Sequence, residues 1–209
     1  MFFPVKGFTL SGAYALFAYG DGGFDWTAAP RKYTYATDVV ASGTEMLTEK
    51  EGIAGCGTSI FGIFGGGSSS AITVWYKTTE KYTWIGETVS SGTNLSTPSL
   101  GVAQFAAVGN ADKGLFGGGA IPGTATNRVE IYVYAGDTCT GSAVFFDLIQ
   151  NLMAVGNSIK GLFCGGLRAF GPVTDVVATY VYASSTWVAG TSLLADRESG
   201  SACGNSTVG

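Results

Sequence analysis

An all-β fold is predicted by three features of this 209-residue sequence: short alternating apolar runs, glycine at nearly every break, and almost no sustained helical stripe. Val129-Glu130-Ile131-Tyr132-Val133-Tyr134 shows the first feature, with apolar residues at period two and β-branched or aromatic types dominating. The second appears in the 33 glycines, set against only 5 prolines. For the third, the best helical candidate is 145–155, and it occupies a slot where the other copies of an internal repeat carry loop and strand. Loop and strand are therefore expected there as well.

Composition narrows the chemistry. Charged residues are 12% of the chain, about half the usual share, but 13 Phe, 10 Tyr and 4 Trp supply a large core, so disorder is not expected. Histidine is absent, which removes Ser-His-Asp and Cys-His nucleophile pairs, His metal sites and a His general base. A net charge of −4 leaves no electrostatic footprint for nucleic acid. The uncharged stretches 52–76 and 88–111 are broken by Gly, Ser, Thr and Asn too often to form membrane-spanning helices. The start, MFFPVKG, places its apolar residues before its only Lys and lacks a long apolar core, so export is not expected. Cys56, Cys139, Cys164 and Cys203 show no CxxC spacing and are read as reduced, small buried residues.

The organisation comes from four series of short blocks that recur in the same order. Gly43-Thr44, Gly92-Thr93, Gly141-Ser142 and Gly190-Thr191 are each 49 residues apart, with Met46, Leu95, Val144 and Leu193 following. Leu16-Phe17, Ile63-Phe64, Leu115-Phe116 and Leu162-Phe163 form the second series, and the last three run into glycines. An alternating aromatic pair is the third: Tyr33 and Tyr35, Tyr132 and Tyr134, Tyr180 and Tyr182, with Val74-Trp75-Tyr76 as a poorer member. Recurring in register, these tyrosines are expected to be packing residues. Cys56-Gly57-Thr58, Val108-Gly109-Asn110, Val155-Gly156-Asn157 and Cys203-Gly204-Asn205 form the fourth, with hairpin chemistry because Gly and Asn tolerate positive φ. The unit is thus four short strands in about 49 residues, repeated four times.

A lone four-stranded meander cannot cover both of its faces or its edges. Radial packing of several such sheets solves both problems, and the unit length matches a β-propeller blade. The glycine runs are expected on the innermost strands, where backbones crowd around an axis. A single domain over 1–209 is expected, with four four-stranded blades. Its ends complement one another. Residues 203–209 stop mid-hairpin, and 13–20 reads as the missing strand with no preceding partner, so the last blade is expected to be closed by N- and C-terminal strands.

The blocks also resemble the kelch repeat: a short apolar run, two glycines, a variable loop, a tyrosine, then a tryptophan. The match is clearest at Leu162-Phe163-Cys164-Gly165-Gly166 with Tyr182 and Trp187, and at Leu115-Phe116-Gly117-Gly118-Gly119 with Tyr132 and Tyr134. Arg197 before Ser201-Ala202 fits as well. Cys139 and Val40 stand near the positions where the third and first copies lack the tryptophan, and the second has Tyr82 and Trp84 at a longer spacing. The resemblance implies a kelch-like β-propeller. In its low charge and glycine richness the chain also resembles kelch-like proteins of phage structural regions.

Candidate chemistry is sparse. The glycine runs lack the Gly-Lys-Ser/Thr ending and following helix of a phosphate loop. Asp21-Gly22-Gly23-Phe24-Asp25 lacks the ligand spacing of a calcium loop, and the other aspartates, Asp147 among them, scatter over loops. No cofactor and no metal is expected. Recognition then falls to the loops after the glycine runs, where the copies differ most. Phe24, Asp25, Trp26, Arg31, Arg168 and Phe170 are the candidate binding residues, because aromatic and Arg side chains on loops anchor interfaces and stack on sugars. For Phe24, Trp26 and Phe170 the alternative is that they plug gaps between blades. Together with the phage resemblance, this gives the expectation of a non-enzymatic binding or structural module, a virion-associated tail or fibre protein that recognises a receptor. Its expected partners are other virion proteins or a host surface glycan or protein, with neither nucleic-acid binding nor membrane insertion. Because four blades are few for the family, a homo-oligomer that completes a larger ring and a truncated array stand as alternatives to closure within one chain. The virion, assembled in the host cytoplasm, is the expected location, with a cytoplasmic one as the alternative. Rival functions are a carbohydrate-active enzyme using rim carboxylates and an intracellular adaptor.

Overall fold

The computed structural model describes residues 8–9, 14–18, 29–69, 73–96, 101–144 and 147–202. Among them every regular element is a strand. The first sheet contains β1 (Phe8–Thr9), β2 (Tyr14–Phe17), β3 (Arg31–Thr34) and β4 (Val39–Ser42), and the second β5 (Ala54–Gly57), β6 (Phe61–Gly65), β7 (Thr79–Thr83) and β8 (Thr88–Gly92). In the third, β9 (Ala106–Gly109) and β10 (Lys113–Gly117) are followed by a small hairpin of β11 (Ala120–Ile121) and β12 (Thr124–Ala125), then by β13 (Arg128–Val133) and β14 (Thr138–Val144). Next come β15 (Ile149–Gln150), β16 (Met153–Gly156), β17 (Lys160–Cys164), β18 (Leu167–Arg168), β19 (Val177–Val181) and β20 (Thr186–Ala189). The fourth sheet is β16-β17-β19-β20, while β15 pairs with β18. All pairings are antiparallel, and in each of the four large sheets neighbours follow chain order.

The predicted unit is therefore present four times, and 147–156 is loop and strand as expected. Its first turn has a local cause. Asn110 Oδ1 accepts the N–H groups of Asp112 and Lys113 at 2.9 and 3.0 Å, and Asn157 Oδ1 those of Ile159 and Lys160 at 2.8 and 2.9 Å. These bonds satisfy turn N–H groups that no strand could reach. Thr58 Oγ1 does the same for Ile60 and Phe61. The second turn, between third and fourth strands, ends on a left-handed residue in every sheet: Asp38, Glu87, Asp137 and Ser185, with φ from 46 to 54°.

Four expectations need correction. The second copy of the aromatic pair is Tyr82 and Trp84, aligned by the facing of Gly62 with Tyr82, whereas Val74-Trp75-Tyr76 lies in the preceding connection. Register also shows that Val40, Val89 and Cys139 oppose Tyr33, Tyr82 and Tyr132 as Trp187 opposes Tyr180, so Trp84 is not the tryptophan of the motif. The paired glycines follow the second strand rather than the leading one. Gly67, Gly119 and Gly166 have φ of 99, 102 and 107°, and each lies against a crossing backbone: a Cβ would meet Glu51 O, Ala103 O and Gln150 O at 2.8, 2.7 and 2.7 Å. Finally, β2 does have a preceding partner, since Phe8 and Thr9 face Leu16 and Ala15. The expected pairing of 203–209 lies outside the described residues.

The sheets stack in chain order. The leading strands β5, β9 and β16 touch in succession, and an apolar layer fills each gap. Leu16 and Met46 meet Phe64, Tyr82 and Trp84 between the first and second sheets; Ile63 and Leu95 meet Phe116 and Tyr132 between the second and third. Leu115 and Val129 meet Phe163 and Tyr180 between the third and fourth. Both faces of an internal sheet are thus buried, which explains why β13 is apolar beyond simple alternation.

The first two gaps also have a polar latch built from the Gly-Thr block. Thr44 Oγ1 donates to Glu87 O at 2.5 Å and Leu47 N–H to Glu80 Oε2 at 2.7 Å. One sheet on, Thr93 N–H donates to Tyr132 Oη at 3.1 Å, Thr93 Oγ1 to Asp137 O, and Ser96 N–H to Glu130 Oε2 at 2.8 Å. Lys50, buried with Glu80, pairs with it at 2.6 Å. Burial lowers the Lys50 ammonium below its ordinary value, and Glu80 opposes that shift. In the third gap Ala178 stands at the register position of Glu80 and Glu130.

Candidate functional site

The connection from second to third strand differs in each sheet. In the fourth it includes β18, and this strand pairs with β15, part of the chain leading out of the third sheet: Ile149 faces Arg168 and Gln150 faces Leu167. Ala169 N–H adds a bond to Leu148 O at 3.0 Å. Backbone pairing between two neighbouring units therefore holds the loop. It also places Arg168 Nε 3.0 Å from Asp147 Oδ2, with both side chains a third or more exposed. Phe170, in the turn just after, is 90% exposed. With Leu148 and Ala169 these residues line an open recess of about 170 Å³.

Such a recess offers an apolar ring face, a planar guanidinium and one carboxylate already engaged by it. An aromatic face and a guanidinium edge suit stacking and multidentate hydrogen bonding. General acid–base work of the glycosidase type needs two carboxyl groups flanking a bond, and among the described residues Asp147 is the one carboxylate lining the recess. Among the described residues no three Cys, Asp or Glu side chains are grouped to hold a metal ion.

Of the residues singled out from sequence, Arg168 and Phe170 are brought together here. Phe170 plugs no gap. Arg31 is elsewhere, exposed at the start of β3, with Nη1 donating to Ser42 Oγ at 2.6 Å. Phe24, Asp25 and Trp26 lie outside the described residues. Sequence reasoning did not join Asp147 to Arg168. The two are 21 residues apart, and only pairing between neighbouring units makes them adjacent.

The fold and this recess define an all-β protein of four consecutive antiparallel four-stranded sheets with an exposed aromatic–arginine loop. No protein-family model and no curated protein sequence matches the chain. Among solved structures, one described as the structure of YjhT is similar in fold, with a TM-score of 0.74 at 14% identity over 93% of this chain and 72% of that one.

Proposed function

We propose that the chain is a non-enzymatic binding or structural module, a kelch-like propeller assembly of four blades whose connecting loops recognise a partner. The radial reading is supported by the succession of β5, β9 and β16, which touch as inner strands would. The observation that carries the function is Phe170, 90% exposed on a loop anchored by β15–β18 pairing. A large apolar side chain held rigidly in solvent beside a guanidinium pays little ordering cost on binding. The partner class is a surface glycan or protein, and the setting a phage virion, where such a module serves as a tail or fibre component recognising a receptor. Phe24, Asp25, Trp26 and Arg31 complete the proposed contact residues.

A glycan array and a panel of host surface proteins, probed with the wild type and with Phe170→Ala and Arg168→Ala, test this. Binding lost by roughly tenfold or more in each variant is expected. Hydrolysis of any arrayed glycan, abolished by Asp147→Asn, overturns the non-enzymatic reading.

A further inference from the structure

We propose that the chain associates head to tail with a second copy of itself, through the same joint that seats each of its sheets on the next. Within one molecule the whole joint is on view twice, between the first and second sheets and between the second and third. A sheet presents a Leu or Ile on its second strand and the Gly-Thr block after its fourth; the next sheet receives them with a Phe, a Tyr and a second aromatic. The receiving residues Phe64, Phe116 and Phe163 are all at most 2% exposed, and so are Tyr82, Tyr132 and Tyr180.

The first sheet bears the same receiving residues in the same register, Phe17 opposite Arg31 and Ala15 opposite Tyr33, but no sheet among the described residues seats on them. Phe17 is 39% exposed, Tyr35 43% and Val40 60%, and Tyr33 is half-buried. Tyr33 Oη already donates to Asp38 Oδ1 at 2.7 Å, as Tyr82 does to Glu87 and Tyr132 to Asp137 where the joint is occupied. The receiving face is therefore assembled in advance.

The fourth sheet bears the complementary face. Leu162 and Leu193 are half-buried, whereas their counterparts Leu16, Ile63, Leu115, Met46 and Leu95 are buried. Gly190-Thr191 continues β20 as Gly43-Thr44 continues β4, and Leu193 N–H donates to Asp175 O at 2.8 Å as Leu95 N–H does to Lys77 O. The backbone of the sending block is thus already in the conformation it adopts in an occupied joint. The two open faces sit at opposite ends of a stack, and each matches the other rather than itself. Contacts between copies are then heterologous, building rings or filaments rather than a two-fold dimer.

One position sets the strength. Arg31 stands where Glu80 and Glu130 accept the incoming backbone N–H. In the first joint Glu80 takes Leu47 N–H and pairs with Lys50, and Leu194 and Arg197 have the same offsets from Gly190 as Leu47 and Lys50 from Gly43. Arg31 thus faces Arg197 of the incoming copy and offers no acceptor, which makes the association reversible.

Sedimentation velocity over a wide concentration range tests the proposal. The wild type is expected to gain mass reversibly with concentration, and Arg31→Glu to shift that midpoint about tenfold lower by restoring acceptor and ion pair. Tyr33→Asp and Leu193→Asp each disable one end, so each alone is expected to stay monomeric while their mixture forms a one-to-one dimer. Monomers throughout for both the wild type and Arg31→Glu overturn the proposal. So does a mixture of the two disabled variants that does not pair, or pairing by either variant alone. None of these readouts depends on Phe170 or on a receptor.

Discussion

Single residues show how little freedom the repeat leaves where chains cross. Gly119 combines a φ of 102° with a Cβ position only 2.7 Å from Ala103 O, so neither the torsion nor the space suits a side chain. Gly119→Ala is expected to cost roughly 2–4 kcal/mol in urea unfolding, the sum of backbone strain and a displaced crossing strand. Gly123, with a φ of 90° but nothing nearby, should lose only the strain, about 1–2 kcal/mol, to the same change. Cys56 illustrates burial acting on chemistry. Fully enclosed between the second and third sheets, its thiol is pushed up to about 12 by desolvation. The folded protein holds that proton more tightly than the unfolded chain, so its contribution to stability is complete below pH 9 and is lost as pH rises toward 12. Mass-spectrometric labelling at pH 8 should find Cys56 unmodified in the native protein and modified after unfolding.

At the level of elements, the first hairpin of the second, third and fourth units is in each case held by one side chain. Asn110 and Asn157 each accept two turn N–H groups, and no strand partner exists to replace them. Asn110→Ala and Asn157→Ala are each expected to lower stability by about 1–2 kcal/mol in chemical denaturation, nearly additively because the hairpins share no partner. That the chain turns here was legible from the Val-Gly-Asn blocks, but the cause was not. None of Gly109, Asn110, Gly156 and Asn157 adopts the expected positive φ, and the asparagines act through their side-chain oxygens. The turns between third and fourth strands were not legible. Their left-handed residue is Asp, Glu or Ser rather than Gly or Asn, and Glu87 in particular carries no turn signal. Its place is set by the Tyr82 hydroxyl, five residues back, and by Thr44 of the preceding sheet, which is remote in sequence.

For the whole molecule, equivalence in sequence is not equivalence in environment. Phe17 and Phe116 occupy the same repeat position, yet one is 39% exposed and the other 1%. Phe116→Ala is expected to cost about 3–5 kcal/mol and Phe17→Ala less than about 1 in the monomer, measured at a concentration where only monomer is present. Near-equal losses would mean that the first sheet's outer face is covered in solution. The recess depends on pairing beyond the four large sheets, because Asp147 lies in the chain leading out of the third and Arg168 in β18, which pairs with β15.

By itself the sequence determined the all-β class, the four-strand unit, its four-fold recurrence and the hairpin turns. All of these rest on contacts within about fifty residues, where periodicity, glycine and asparagine act locally. Packing between sheets determined the rest. It decided that Tyr82 and Trp84, not Trp75 and Tyr76, form the second aromatic pair, because register with Gly62 outweighs motif spacing. It decided that the glycine pairs serve crossing backbones, and that Arg168 meets Asp147. It also decided that Phe17 is exposed where Phe64, Phe116 and Phe163 are buried, since a side chain is buried only where a neighbour covers it, and a repeat reads the same in sequence whether or not it has one.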